Sequence, residues 1–386
     1  MSKKRDLSIL SGATFLIFMG AGALQPYISP YLKDIRGLSS IQASLILTTV
    51  YFTMAFSRIF TGSIVYYLSL YLTIFLGALT YTIFIVVLGY TGYFSLWIIG
   101  GLLWGIGAAM FWTGISTQVL NKSSIAKYGT STGVLRFFTQ IGLLIGFFIL
   151  GQFLTKYGYS SFFLFAVLVT TLGIAITLFV SRENYEYPRL PVKEILFSMI
   201  NREAWLISLL LFVSSFSYGL ILNLLNFFVK KSFGLEMMNK TLIFFYLSAG
   251  IFSLSGGIIS DRIGRKRTLT FAFLIGVLGL VILLFWNNPL IVSLTSFFLG
   301  LEFAIVPTVS TAWIGDITTR RERPTVLGAI SSWGNLGVAF SIIFGGLLIQ
   351  WEVSFKRSFL IFAALFFFLS LLCGLRTSHE YGNRKL

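Results

Sequence analysis

The sequence predicts an all-α integral membrane protein: twelve transmembrane helices arranged as two six-helix bundles related by a parallel repeat. Three observations predict it. The 386 residues are 56% hydrophobic and 11% charged, with mean hydropathy +0.88. Soluble domains carry about a quarter charged residues, so lipid must surround most of this chain. Long apolar runs recur twelve times, each able to cross about 30 Å of hydrocarbon at 1.5 Å per residue. Finally, the glycine pattern of the first half returns in the second.

The runs fall at 7–32, 39–66, 71–90, 94–120, 128–156 and 160–181, then at 204–229, 239–260, 268–287, 289–316, 324–350 and 354–375. They are continuous, unlike the short alternating strands of a membrane β-barrel. The polar stretch 182–203 divides them, which predicts an N-terminal half over 1–181, a central loop over 182–203 and a C-terminal half over 204–386. Met1-Ser-Lys-Lys-Arg5 precedes a run too long for a signal-peptide core, so the first helix is read as retained. With the N-terminus inside, the inner segments hold 19 of the 29 Lys and Arg and the outer loops 8. This bias predicts both termini in the cytoplasm of a cell that carries the protein in its plasma membrane.

A shift of 195 residues pairs Tyr51 with Tyr246, Gly62 with Gly257, Gly105 with Gly300, Gly133 with Gly328, Gly142 with Gly337 and Gly151 with Gly346, and lays Gln140 on Asn335. A shift of 197 pairs Gly37 with Gly234. Six spans separate the copies, so both have the same orientation, as in a parallel repeat about the membrane normal.

Composition excludes several classes. The net charge of +16 sits between apolar runs, where membrane flanks need it, so no nucleic-acid partner is expected. One cysteine, Cys373, and one histidine, His379, leave no intrachain disulfide and no His/Cys metal cluster. No cofactor is expected, and no nucleotide-binding loop speaks for ATP as the driving force.

One short stretch breaks the apolar pattern. Gly257-Ile-Ile-Ser-Asp261-Arg262-Ile-Gly264-Arg265-Lys266-Arg267 puts five charges between the eighth and ninth runs. Gly257 permits close helix approach, and Gly264 a tight turn. Asp261 can accept charge-assisted bonds from an arginine or a neighbouring helix N-terminus. The alternative is a plain positive-inside anchor, which would need neither the Asp nor the glycine spacing. The stretch resembles the Gly-x-x-x-Asp-Arg-x-Gly-Arg-Arg/Lys signature of the major facilitator superfamily, at the place of that family's second-half copy. The resemblance implies a twelve-helix secondary transporter whose two halves rock about a midplane site. A second charged set, Asp316, Arg320, Arg321, Glu322 and Arg323, resembles the family's charged pair between helices 10 and 11. By that resemblance Asp261, Arg262, Asp316 and Arg323 would form a cytoplasmic gate, flanked by Gly257, Gly264 and Arg265.

The first-half copy departs from the pattern. Gly62-Ser-Ile-Val-Tyr66-Tyr67-Leu-Ser69-Leu70-Tyr71 carries Tyr66 where Asp261 pairs and no basic residue, although Arg58 stands four positions before Gly62. The proton-linked drug exporters' helix-4 arginine is replaced by Gly101, and their Gly-Pro pair by Gly146-Phe147, which speaks against that exporter class.

Ionisable groups within spans are costly and mark functional sites. Glu302 lies thirteen residues into the tenth run, about 20 Å deep. Arg136 and Arg58 lie nearer the cytoplasmic end, and snorkelling is open to both. The family resemblance assigns helices 1, 4, 7 and 10 to the central path, assisted by 2, 5, 8 and 11. That adds Gln25, Tyr31, Trp112, Gln140, Asn223, Asn226 and Asn335 as substrate-binding candidates. For the aromatic ones, ordinary core or interface-belt packing is the stronger claim.

The expected function is secondary transport of a small organic solute by alternating access, with or without proton coupling. An uncoupled facilitator and an efflux pump for amphipathic compounds are the alternatives. An intramembrane enzyme would need clustered acids or a nucleophile–base pair, and Glu302 stands alone. A non-transporting sensor would carry an added soluble domain. A monomer in the bilayer is expected.

Overall fold

The computed structural model describes residues 2–182, 185, 187–188, 202–222, 224–285, 288–351 and 353–383. They are all-helical, and ten helices are long and apolar enough to cross a membrane. Two further crossings are hidden by continuity. The helix Tyr128–Thr177 breaks at Gly158, at φ 75° and ψ −176°. Phe153 and Phe165 then stack with centroids 4.8 Å apart, whereas twelve residues of straight helix would separate them by about 18 Å. The helix Thr61–Tyr90 breaks likewise at Ser69, φ 70° and ψ 159°. Its first residues continue Ser40–Ile59 past Phe60.

Twelve rods result. α1 covers residues 2–35, α2 40–68, α3 70–90, α4 Phe94–Lys122, α5 128–157 and α6 159–177. α7 joins Arg202–Leu222 to Leu224–Phe233, followed by α8 Leu235–Ile263, α9 Arg265–Phe285, α10 Pro289–Ile317, α11 Arg323–Gln350 and α12 Phe355–Asn383. The expected runs match these rods closely, and the largest differences are at the ends. α1 reaches Ile35 through two π turns, Phe18–Gly22 and Tyr31–Ile35. Between them stand Pro26 and Pro30, whose missing N–H groups interrupt the ordinary ladder. Most of the central loop lies outside the described residues.

Two compact units form. One comprises Met1–Ser124, Phe138–Trp205 and Ile317–Asn335; the other Ile125–Phe137, Leu206–Asp316 and Leu336–Leu386. Each unit thus takes in a short segment from the opposite half of the sequence.

The repeat is visible in helix contacts. A Cβ on Gly105 would press on the Val50 carbonyl, and one on Gly300 on the Phe245 carbonyl. Gly142 sits over the Phe15 carbonyl and Gly337 over that of Phe212. Glycine thus sits over glycine-equivalent contacts, at the sequence shifts of 195 and 197 that align the halves. In lipid, close backbone approach through small residues takes the place of hydrophobic association.

Candidate functional site

The second unit contains the charged stretch, at what we term the basic end of the helices. α8 finishes with Asp261, and the chain turns at Gly264 with φ 96°, a value at which a side chain is strained. Gly257 of α8 lies directly on the Gly129 carbonyl. This contact brings Asp261 over the start of α5. One carboxylate oxygen accepts from Gly129 N at 2.9 Å. The other accepts from Thr130 N and Thr130 Oγ1, each at 2.7 Å. These amides belong to the first turn of a helix that has no intrahelical acceptor for them, and the carboxylate also meets the positive end of the helix dipole. Arg265 Nη1 donates to Asp261 at 2.6 Å and to Ser260 Oγ at 2.8 Å. Its Nε donates to Asp316 at 2.8 Å. One guanidinium therefore bridges α8 and the end of α10, and Lys266 lies over the Trp313 ring at 5.5 Å.

Of the expected four, Asp261 and Asp316 meet through Arg265. Arg262 is exposed, and Arg265 makes the pair with Asp316. Arg323 belongs to the first unit and has its own partners: Asn121 Oδ1 at 2.8 Å and the Thr318 carbonyl at 3.2 Å. Asn121 in turn donates to the Tyr187 hydroxyl at 2.6 Å.

The first unit repeats the contact without the charge. Gly328 of α11 lies over the Arg58 carbonyl of α2 and Gly62 over Thr325, as Gly133 lies over Ser253 and Gly257 over Gly129. Under the 195-residue shift Thr130 falls on Thr325, but Gly129 falls on Pro324 and Asp261 on Tyr66. Proline in the first turn offers no N–H and is preorganised for a helix start. The acceptor and one of its donors are therefore missing together, and the remaining amide, Thr325 N, donates to the Glu322 carbonyl at 3.0 Å. Arg58 reaches across instead, donating to the Ser331 carbonyl at 3.1 Å. That use makes it a fastening between helices.

The remaining candidates are spread over the spans. Glu302 is fully buried and accepts a hydrogen bond from Ser217 of α7. A Cβ at Gly276 of α9 would meet Glu302 Cγ at 3.2 Å and Phe366 of α12 at 3.0 Å, so the carboxyl points into the core of the second unit. Its Oε1 and the Ser214 hydroxyl beside it make no hydrogen bond of good geometry among the described residues. Gln25 accepts from the Tyr51 hydroxyl at 2.8 Å, joining α1 to α2. Tyr31 is buried, accepts from Arg36 Nε at 2.7 Å and packs on Tyr159 and Phe163. Trp112 packs on Phe18 with centroids 5.1 Å apart. Gln140 and Asn335 are buried, and Gln140 Oε1 and Asn335 Nδ2 lack partners among the described residues. Arg136 is half-buried on α5. Asn223 lies outside the described residues, as do the side-chain surroundings of Asn226. Among the described residues no group of His, Cys, Asp and Glu could hold a metal ion.

Sequence reasoning missed Gly129 and Thr130, since backbone amides leave no mark in a sequence. The one available signal was the coincidence of Thr130 with Thr325 under the repeat. It also missed Ser217, Asn121 and Tyr187.

Comparison with known proteins adds the family. The family model described as Major Facilitator Superfamily matches residues 10–248 and 207–385. Multidrug resistance protein 2 of Bacillus subtilis is 20% identical over 371 residues, covering 92% of each chain. The proton-coupled antiporter flippase LtaA of Staphylococcus haemolyticus is 24% identical over 289 residues, covering 72% of this chain and 70% of the relative. Two yeast relatives are matched over only about a quarter of their length: the multidrug transporter AQR1 of Candida glabrata, 27% identical over 38% of this chain, and its Saccharomyces cerevisiae counterpart. In solved structures the fold is similar to that of the Escherichia coli fucose:proton symporter FucP, with TM-score 0.78 and 15% identity over 97% of this chain and 99% of that one. The human organic anion transporter MFSD10 gives TM-score 0.77 and 13% identity over 97% and 100%. Twelve apolar rods, a repeat written in helix contacts and a family model spanning nearly the whole chain leave one assignment: this multi-pass membrane protein belongs to the major facilitator superfamily.

Proposed function

We propose that the protein moves a small organic solute by alternating access, with the basic end and both termini in the cytoplasm and with Glu302 exchanging the proton that drives accumulation. The observation that carries the access mechanism is Asp261. A residue of the C-terminal half caps a helix of the N-terminal half, and opening the cytoplasmic side has to break that cap. The two halves, 1–181 and 204–386, are the bodies that rock, joined by the loop 182–203. Glu302 supports coupling because a carboxyl held by one hydroxyl between α7 and α10 changes its bonding to α7 when it gains or loses a proton. Three further observations bear on the cargo. Trp112, Phe18 and Tyr81 form a ring-lined core in the first unit, two relatives are named for multidrug transport and one for a proton-coupled flippase. They support an amphipathic solute as the second reading, and the missing helix-4 arginine stands against the drug-exporter mechanism. The test is flux in liposomes with and without a proton gradient. Gradient-stimulated accumulation supports coupling, and flux indifferent to the gradient would leave an uncoupled facilitator.

A further inference from the structure

Arg58 keeps its charge while it fastens α2 to α11. The Ser331 carbonyl takes one of its five N–H groups, and a carbonyl is neutral. Residues 35–182, which include all of α2 to α6, contain no Asp or Glu. Those five spans can meet the charge only with dipoles and rings. A charge within a span is costly and marks a functional site. Two further side chains share its depth. α2 runs ten residues past Arg58 to residue 68, α4 runs ten past Trp112 to Lys122, and α3 reaches Tyr81 eleven residues after residue 70. All three thus lie about 15 Å from that end of the unit. The Trp112 indole is a donor only, and its partner is the Tyr81 hydroxyl, which also lies within electrostatic reach of the Arg58 guanidinium. A hydroxyl that accepts from an indole keeps its own proton to donate. Phe18 and Phe111 stand against the Trp112 ring, with centroids 5.1 and 6.2 Å away. Phe18 opens the first π turn of α1, a distortion frequent at functional sites. Close packing fixes the arrangement: a Cβ on Gly77 of α3 would meet the Phe111 N of α4 at 2.6 Å. Tyr81, Phe18 and Phe111 are buried, whereas Arg58 and Trp112 are half-buried. A charge and an aromatic surface are therefore the parts left open to a ligand.

We propose that Arg58, Tyr81 and Trp112, backed by Phe18, bind a solute that carries one anionic group on a flat apolar body. The guanidinium and the Tyr81 hydroxyl donate to the anion, and the indole packs on the body. An amphipathic organic anion is thus the substrate class. The inference rests on the transport reading above, so binding and access are measured separately.

The probes are naphthalenesulfonate, the uncharged naphthalenesulfonamide and the cationic naphthyltrimethylammonium, titrated calorimetrically into purified full-length protein. The sulfonate is expected to bind about tenfold or more tighter than the other two. Arg58→Gln should remove that preference, whereas Arg58→Lys keeps the charge and should retain most of it. Trp112→Leu should weaken the sulfonate and the sulfonamide alike, by about fivefold. Absence of sulfonate binding, equal binding of sulfonate and sulfonamide, or a preference that survives Arg58→Gln overturns the proposal. If Arg58→Gln does not fold, the unchanged protein and Arg58→Lys decide it: a folded Arg58→Lys without the preference would leave Arg58 a fastening only. Access is read from Thr325→Cys in a Cys373→Ser background, because Thr325 is buried against Gly62 of α2. Its labelling from the basic side by a membrane-impermeant maleimide is measured in vesicles. If Asp261→Asn raises labelling while the three probes bind alike, alternating access stands and the anion site falls. If the sulfonate is preferred but labelling ignores Asp261→Asn, the site stands and the access reading falls.

Discussion

Ser69 holds the left-handed region with a side chain, where its repeat partner Gly264 holds it with none. Such a residue costs on the order of 1 kcal/mol or more. Ser69→Gly is accordingly expected to raise the melting temperature of the purified protein, while Gly264→Ala should lower it by a comparable amount. A drop in stability for Ser69→Gly would mean that its hydroxyl, which meets the Leu72 amide at 3.4 Å, outweighs the backbone strain. Glu302 belongs to the same scale. Glu302→Gln keeps a hydrogen-bonding group beside Ser217 and removes the titratable proton. It should abolish gradient-driven accumulation while leaving counterflow at equal pH largely intact, both measured in liposomes. Loss of both activities would point to direct substrate contact, and retained accumulation would remove Glu302 from coupling. Only Glu302 stood out in the sequence: a lone acid in an apolar run announces itself, whereas strain at Ser69 is visible only once the backbone is known or the repeat lays it on Gly264.

At the scale of the element, the unit of function is a helix end. Asp261→Asn leaves a neutral amide before the Gly129 and Thr130 donors and Arg265. Losing such charge-assisted bonds costs about 2–3 kcal/mol, enough to move a two-state equilibrium by roughly 30- to 150-fold. Membrane insertion should persist, transport should fall sharply, and labelling of Thr325→Cys from the basic side should rise. Normal flux with unchanged labelling would reduce the motif to an anchor. The eroded copy gives a complementary test. Tyr66→Asp alone should not strengthen closure, because Pro324 offers no amide. Tyr66→Asp combined with Pro324→Gly supplies both members and should reduce basic-side labelling. A gain from Tyr66→Asp alone would show that the pairing is wrong. The motif itself was legible because charge contrasts with an apolar background. Its acceptor geometry was half legible, since a helix N-terminus was one of the partners expected for Asp261 but α5 was not singled out. That Arg265 rather than the exposed Arg262 joins Asp261 to Asp316 was not legible, because sequence spacing does not settle side-chain placement across a turn.

For the whole molecule, the twelve crossings and the repeat were readable because lipid forces each span to be long, apolar and helical. The contacts of the central loop were not, since irregular backbone follows no period and Tyr187 finds Asn121 across 66 residues. Nor was it legible that each compact unit borrows a segment of the opposite half, 125–137 in one case and 317–335 in the other. This exchange bears on how the protein is made. The amide of Thr130 and the carboxylate that caps it are 131 residues apart. At synthesis rates of about 5–20 residues per second that gap lasts roughly 7 to 26 seconds. During that interval the nascent first half sits in the membrane with the start of α5 hydrated and without its acceptor, and it completes that end only when α8 arrives.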